Sequence, residues 1–342
     1  MGSEDRNLLD KRAICGTSLS ELDLHQVQTE ENTDKHADRI SRLSRAKLLA
    51  SELCKWGQLN RDKVPDSFDL VKFDNCGSHL EFRNYHERGQ IKLARGKFCH
   101  QDKVCPVCAI LKQAKCMKLL APKIDYLGMG EFQGRPWYHI VPTIKNGPDL
   151  AERFNHYRAG RKVQTERARK LRNMGRGKHT EFAKVIGAYE SIEVKRGAGE
   201  GLWHPHGHII AVCSDYIDRD RLQHEWKEIT GDSHNVHVEL IDMDNDEHRT
   251  SALLECTKYV TKFTEQTPED LYQLHGILKG KTLKQQYGRL RFSAAERKEL
   301  AEHHDVLPED EPFVRMIYEF LHGFGYALKA EVSSNAQPAF FC

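Results

Sequence analysis

The stretch Trp203-His204-Pro205-His206-Gly207-His208-Ile209-Ile210 places three histidines at alternating positions directly before an apolar run. In an extended chain, residues two apart share a face and stand roughly 6.6 Å apart. The spacing therefore predicts a strand over 206–212 with imidazoles along one side. Neutral imidazole is a common metal ligand, so this face is half of a metal site. Pro205 has no N–H and weakens pairing near His204, which makes His206 and His208 the surer ligand pair.

Working outward, Val185–Val194 (VIGAYESIEV) also alternates, with Tyr189, Ser191 and Glu193 on one face and Ile186, Ala188, Ile192 and Val194 on the other. The glycine-rich segment 196–201 between the two runs predicts an antiparallel pair. Glu193 is then the candidate third ligand, with His204 as a further candidate. Two imidazoles and one carboxylate with open positions suit Mn²⁺ or Mg²⁺, with Zn²⁺ as an alternative. The competing reading is a histidine-rich loop whose nitrogens are all satisfied by hydrogen bonds.

Around this pair, Tyr138–Ile144 reads as a strand that Pro142 would push to an edge or a bulge. Asp149–Met174 reads as a helix, as do 218–229 and 247–264, and His234–Ile241 as a strand. The order from 138 onward is β-α-β-β-α-β-α, an α+β pattern on a central antiparallel sheet. Residues 1–35 read as a polar arm, and 36–59 as a helix stopped by Gly57.

Upstream lies a cysteine cluster. Cys105-Pro106-Val107-Cys108 is a knuckle, and Cys76 and Cys99 supply two more thiols, the tetrahedral set that structural Zn²⁺ prefers. Small buried thiols are the alternative. Cys116 is a reserve ligand; Cys15, Cys54, Cys213, Cys256 and Cys342 read as ordinary thiols.

On the predicted helix 247–264, Glu255 and Tyr259 are i, i+4 neighbours and Lys262 lies further along the same face. Ala252, Cys256, Val260 and Phe263 form a separate apolar stripe, which frees Tyr259 from the core. A phenol is a weak nucleophile at its ordinary pKa of about 10. A nearby cation together with Lys258 or Lys262 would favour its ionised form.

The chain has 342 residues, with 52 Lys+Arg against 50 Asp+Glu, so overall charge identifies no partner. Its distribution says more: residues 153–178 carry ten Lys/Arg and the single acid Glu166. Arg161, Lys162, Arg167, Arg169 and Lys170 in that block are candidate phosphate contacts; a solvated helix face is the alternative. No run approaches a membrane span. A polar N-terminus and ten cysteines with metal-type spacing fit a reducing cytoplasm.

Taken together, these segments resemble the Rep initiators of rolling-circle plasmids, within the HUH endonuclease superfamily. The matching pieces are Cys76-Gly77, Phe98-Cys99 with Cys105–Cys108, and Tyr138–Asn146. Then follow Ser191–Lys195, His204–His208, Glu255–Lys262 and Leu278–Leu283. The resemblance covers roughly 74–292.

It implies an HUH endonuclease domain with a central antiparallel sheet flanked by helices, preceded by a Cys₄ zinc module and an N-terminal helical arm. Within the matched span the division is a zinc module at 71–125 and a nickase domain at 126–292; outside it, 1–70 reads as a polar arm and helical N-terminal segment and 293–342 as a helical tail. It further implies that Tyr259 attacks a phosphodiester of single-stranded origin DNA, forming a 5′-phosphotyrosyl link. The cation on His206 and His208 would polarise that phosphate, and Glu255 would end the cycle by activating water. Outside the matched span, residues 1–70 and 293–342 are candidates for recruiting a host helicase or DNA polymerase.

Within the superfamily, a relaxase or a transposase is the nearest alternative. A histidine-triad nucleotidyl transferase, with His206 as nucleophile, and a non-catalytic zinc-ribbon DNA-binding regulator are more distant ones.

Overall fold

The computed structural model describes residues 21–197, 201–258, 265–308 and 311–333. It is a mixed α+β fold with two antiparallel sheets. In chain order the elements are α1 (Glu21–Leu59), α2 (Leu70–Asp74), β1 (His79–Tyr85), β2 (Gln90–Gly96) and α3 (Pro106–Met129). Next come β3 (Trp137–Pro142), α4 (Leu150–Met174), β4 (Val185–Arg196), β5 (Trp203–Cys213), α5 (Arg219–Thr230), β6 (Val236–Ile241) and α6 (Asp246–Thr257). The chain continues with α7 (Pro268–Leu278), β7 (Lys284–Gly288), α8 (Ala294–Ala301), β8 (Val314–Leu321) and β9 (Gly325–Ser333).

Local chemistry sets many of the helix boundaries. Asp149, Asp218, Asn245 and Thr267 each accept a backbone N–H from the first turn of the helix that follows. Ser293 and Glu296 form a reciprocal capping box at α8. Gly175, with φ of 61°, closes α4 in the left-handed conformation that glycine adopts without strain.

The larger sheet has strand order β6-β3-β5-β4-β7. Its two faces bury different sets. Tyr138, Ala188, Ile192, Ile209 and Ala211 face Phe154, Tyr157 and Trp226 of α4 and α5. Trp137, Tyr189, Ile210 and Val212 face Cys116 and Leu120 of α3 and Ala252, Leu253 and Cys256 of α6. The helices thus cover both faces, and the strands between them are largely apolar on both sides. The smaller sheet has order β2-β1-β8-β9 and stands beside the cysteine cluster.

Several expectations are corrected. Residues 21–35 continue the helix rather than forming an arm, because Glu, Gln, Leu and Lys there are good helix formers. Gly57 does not stop α1; a Cβ there would lie 2.4 Å from the Tyr272 hydroxyl, so close packing requires the glycine. β3 is an inner strand, with Pro142 at its end beyond the last pair with β5.

Residues 293–342, expected as a helical tail, hold α8 and then the hairpin β8–β9, whose first strand pairs with β1. The predicted helix 247–264 ends at Thr257. Its hydroxyl bonds the Leu253 carbonyl at 2.9 Å, and Lys258 turns extended, with φ −47° and ψ 163°. Tyr259 and Lys262, with Val260 and Phe263, lie outside the described residues. Among the described residues no helix is long and apolar enough to cross a membrane.

Candidate metal centres

Strands β4 and β5 pair so that Glu193 stands opposite His206, and Ser191 opposite His208. Directly opposed residues of an antiparallel pair project to one side, so the three side chains converge. Glu193, His206 and His208 are all buried, and one ligand atom from each lies within 4.8 Å of the others. Glu193 Oε2 is 3.6 Å from His206 Nε2 and 3.3 Å from His208 Nε2.

The far side of each imidazole is held. His206 Nδ1 lies 3.3 Å from the His204 carbonyl, which makes Nδ1 the donor and leaves the lone pair on Nε2. His208 Nδ1 lies 3.2 Å from His139 Nε2. His208 Nε2 is buried and accepts or donates no aligned hydrogen bond among the described residues. A buried ring nitrogen without a hydrogen-bond partner is costly unless a ligand such as a cation meets it. Burial alone would raise the Glu193 carboxyl, but the neighbouring His206 and His208 imidazoles outweigh it and hold the group well below the usual carboxylate range. Two imidazoles oriented by outer partners and one carboxylate are a donor set that fits a divalent ion.

His204 is not in this group. Its Nδ1 sits 2.6 Å from Asn146 Oδ1, and its ring packs beside His206 with centroids 5.0 Å apart. The contact with Asn146 fixes the His204 ring through Nδ1, and the ligand atoms that converge are those of Glu193, His206 and His208.

Sequence reasoning missed His139. It is 7% exposed, its ring stacks on His208 at 5.4 Å, and Glu239 lies 3.8 Å from its Nδ1. Burial and the neighbouring His208 lower its pKa to about 4, so it is neutral near pH 7. The available signal was a histidine between Tyr138 and Ile140 on an inner strand.

Helix α6 crosses the same face. Glu255 is near enough to His139 to act on it electrostatically, and it pairs with Lys258 at the helix end. Beyond the undescribed stretch, Gln266 donates to the Val194 carbonyl at 2.8 Å, one residue from Glu193. The described residues on both sides of Tyr259 are therefore tied to the strands of this site.

The second group is Cys76, Cys99, Cys105 and Cys108, all buried. Sulfur separations of 3.5 Å (76–108), 3.6 Å (99–108) and 3.6 Å (76–105) approach the edge of a tetrahedron around zinc, about 3.8 Å. Cys105 caps α3 and Cys108 lies in its first turn, where the helix dipole favours thiolates. Hydrogen bonds from the other three thiols push Cys76 far below the usual thiol range, while burial pushes Cys105 up. Such a shared charge is what a divalent cation would resolve. Cys116 is not in the group; its sulfur contacts the Tyr189 hydroxyl at 2.9 Å.

The basic block does not meet the Glu193 group. α4 lies on the opposite face of the sheet. Arg161, expected as a phosphate contact, is 4% exposed and makes two 2.9 Å bonds to Glu190, so it is a core residue. Arg167 pairs with Glu228 at 3.1 Å. Lys162, Arg169 and Lys170 are exposed.

This chain is similar to two curated proteins, each named "Protein rep". One, from Bacillus amyloliquefaciens, is 26% identical over 169 residues, covering 45% of this chain and 43% of that protein. The other, from Streptococcus pneumoniae serotype 2 (strain D39 / NCTC 7466), is 25% identical over 231 residues, covering 64% of this chain and 68% of that protein. The match to the Bacillus relative thus spans less than half of its length. No family model and no solved structure matches. Sequence likeness to proteins named Rep therefore stands beside two groups of side chains capable of holding metal ions.

Proposed function

We propose that this chain is a Rep-type initiator of plasmid replication, and that residues 126–292 form an HUH nickase domain acting on single-stranded origin DNA. The observation that carries the reading is the buried Glu193–His206–His208 group, with His208 Nε2 unsatisfied, on a sheet face crossed by the end of α6. The likeness to two proteins named Rep supports the biological setting.

In this reading Glu193, His206 and His208 hold Mn²⁺ or Mg²⁺, and the four cysteines hold a structural Zn²⁺. The divalent ion, when bound, supplies a positive charge that polarises the scissile phosphate. Tyr259 gives up its phenolic proton to bulk water and attacks phosphorus. The bond from phosphorus to the 3′ oxygen breaks, and that oxygen takes up a proton to become the 3′-OH primer. The 5′ side stays on Tyr259 as a phosphotyrosyl ester. Lys258 and Lys262 stabilise the phenolate and the charge of the transition state. Glu255 takes a proton from the water that ends the cycle. His139 orients His208. Host helicase and polymerase would then act on the released 3′-OH.

The test incubates the full chain with Mn²⁺ and supercoiled plasmid carrying the origin, then maps any DNA-linked peptide by mass spectrometry. Open circles and an adduct on the peptide containing Tyr259 are expected, both lost in Tyr259→Phe. An adduct that persists in Tyr259→Phe would overturn the proposal, as would a wild-type chain that leaves the plasmid closed.

A further inference from the structure

The face that carries Glu193 does not end at β4. It continues onto the edge strand β7, where Lys284 stands opposite Ser191, itself opposite His208. All three side chains project to one side, and two strand spacings put Lys284 about 10 Å from His208. Lys284 opens into a groove of about 480 Å³. Its other walls bring in Lys103 and Lys112, before and on α3, and Arg291 and Arg297, before and on α8. The acid in that lining is Asp102.

This charge bias has a structural cause. The carboxylates of α8 turn away from the groove, Glu296 to Lys123 at 3.0 Å and Glu299 to Lys118 at 3.4 Å. Lys103 is already committed as a strut, donating to the Leu278 and Lys281 carbonyls at 2.6 and 2.7 Å. Among the described residues, Lys112, Lys284 and the Arg291 guanidinium are in no ion pair. Cations on a solvated helix face usually mean nothing more than solubility. These instead converge from three separate elements into one concavity, and that concavity adjoins the metal face.

We infer that a single strand of DNA leaving the Glu193–His206–His208 centre runs through this groove, with its phosphates against Lys112, Lys284 and Arg291. The inference rests on the nickase reading and extends it. α3 begins at the cysteine group, so the zinc module forms one wall of the strand's track. Both metal groups then serve one substrate, one at the reacting phosphate and one by fixing the helix that grips the neighbouring phosphates.

The test measures binding of fluorescein-labelled oligothymidylate to the full chain by anisotropy across a NaCl series. Each phosphate contact on a single strand contributes about 0.7 to the slope of log affinity against log salt. The triple variant Lys112→Gln, Lys284→Gln, Arg291→Gln should lose about 2 from that slope. Lys112→Arg with Lys284→Arg should keep it. If the triple variant unfolds, Lys284→Gln alone carries the test, with an expected loss of about 0.7.

A variant slope equal to that of wild type overturns the groove, and so does a wild-type chain that does not bind the oligonucleotide. Plasmid nicking is read in parallel. Normal nicking with an unchanged slope removes the groove and leaves the nickase standing. A groove-dependent slope without any nicking or adduct does the reverse.

Discussion

Glu190 and Glu193 lie three residues apart on β4, are 1% and 3% exposed, and face opposite sides of the same sheet. On its side, Glu190 is enclosed by donors. Arg161 grips it with two bonds, and the hydroxyls of Tyr157 and Tyr287 donate at 3.0 and 2.7 Å. Burial would raise its pKa, yet Arg161 and these donors hold it below the usual range. On the other side Glu193 meets the imidazoles of His206, whose proton is directed to the His204 carbonyl, and of His208, which leans on His139. One carboxylate closes a network that serves the fold; the other belongs to a group capable of holding a metal ion. Sites for chemistry commonly give up stability in this way, and the alternation of a strand keeps the two roles apart.

The contrast can be broken from either side. Arg161→Leu should cost about 3–5 kcal/mol in urea unfolding, because it strands a buried carboxylate. Glu193→Ala should instead cost less, about 1–3 kcal/mol without metal, while abolishing Mn²⁺ binding measured by calorimetry. Equal losses of stability would erase the distinction between the faces.

His139→Ala should weaken Mn²⁺ binding about 10–100-fold, the usual cost of losing an outer partner of a ligand histidine. Unchanged affinity would remove His139 from the site. Gly207→Ala should cost about 1–3 kcal/mol by overpacking. A Cβ there would lie 1.9 Å from the Tyr157 hydroxyl, and the disturbed strand also carries His206 and His208. Smallest of all, replacing Lys162, Arg169 and Lys170 with Gln should shift the melting curve by less than about 0.5 kcal/mol. It should also change the salt slope for single strands less than the groove variants do. A larger change would move the DNA track to the α4 face.

Much of this was legible in the chain itself. The alternation of 185–194 and 203–210 gave the strand pair and the face on which Glu193, His206 and His208 meet. Spacing alone also suggested the four cysteines that cluster. What periodicity could not carry was depth and partnership. Arg161 looks like its basic neighbours in sequence, yet the turn of α4 aims it at Glu190. His204 has the right phase for the histidine face, but the ligand atoms that converge are those of Glu193, His206 and His208, and its own ring is held by Asn146 from a distant loop. The C-terminal hairpin carries no local signal that tells it from a helix, because its pairing partner, β1, lies more than two hundred residues away.

That last pairing bears on how the molecule can be cut. A fragment ending near residue 125 keeps all four thiols but leaves β1 with one bare edge where β8 and β9 belong. Unpaired edges invite self-association. The cysteine unit is therefore a discontinuous body, and a soluble piece of it would need the residues around 314–333 spliced back or supplied as a second peptide.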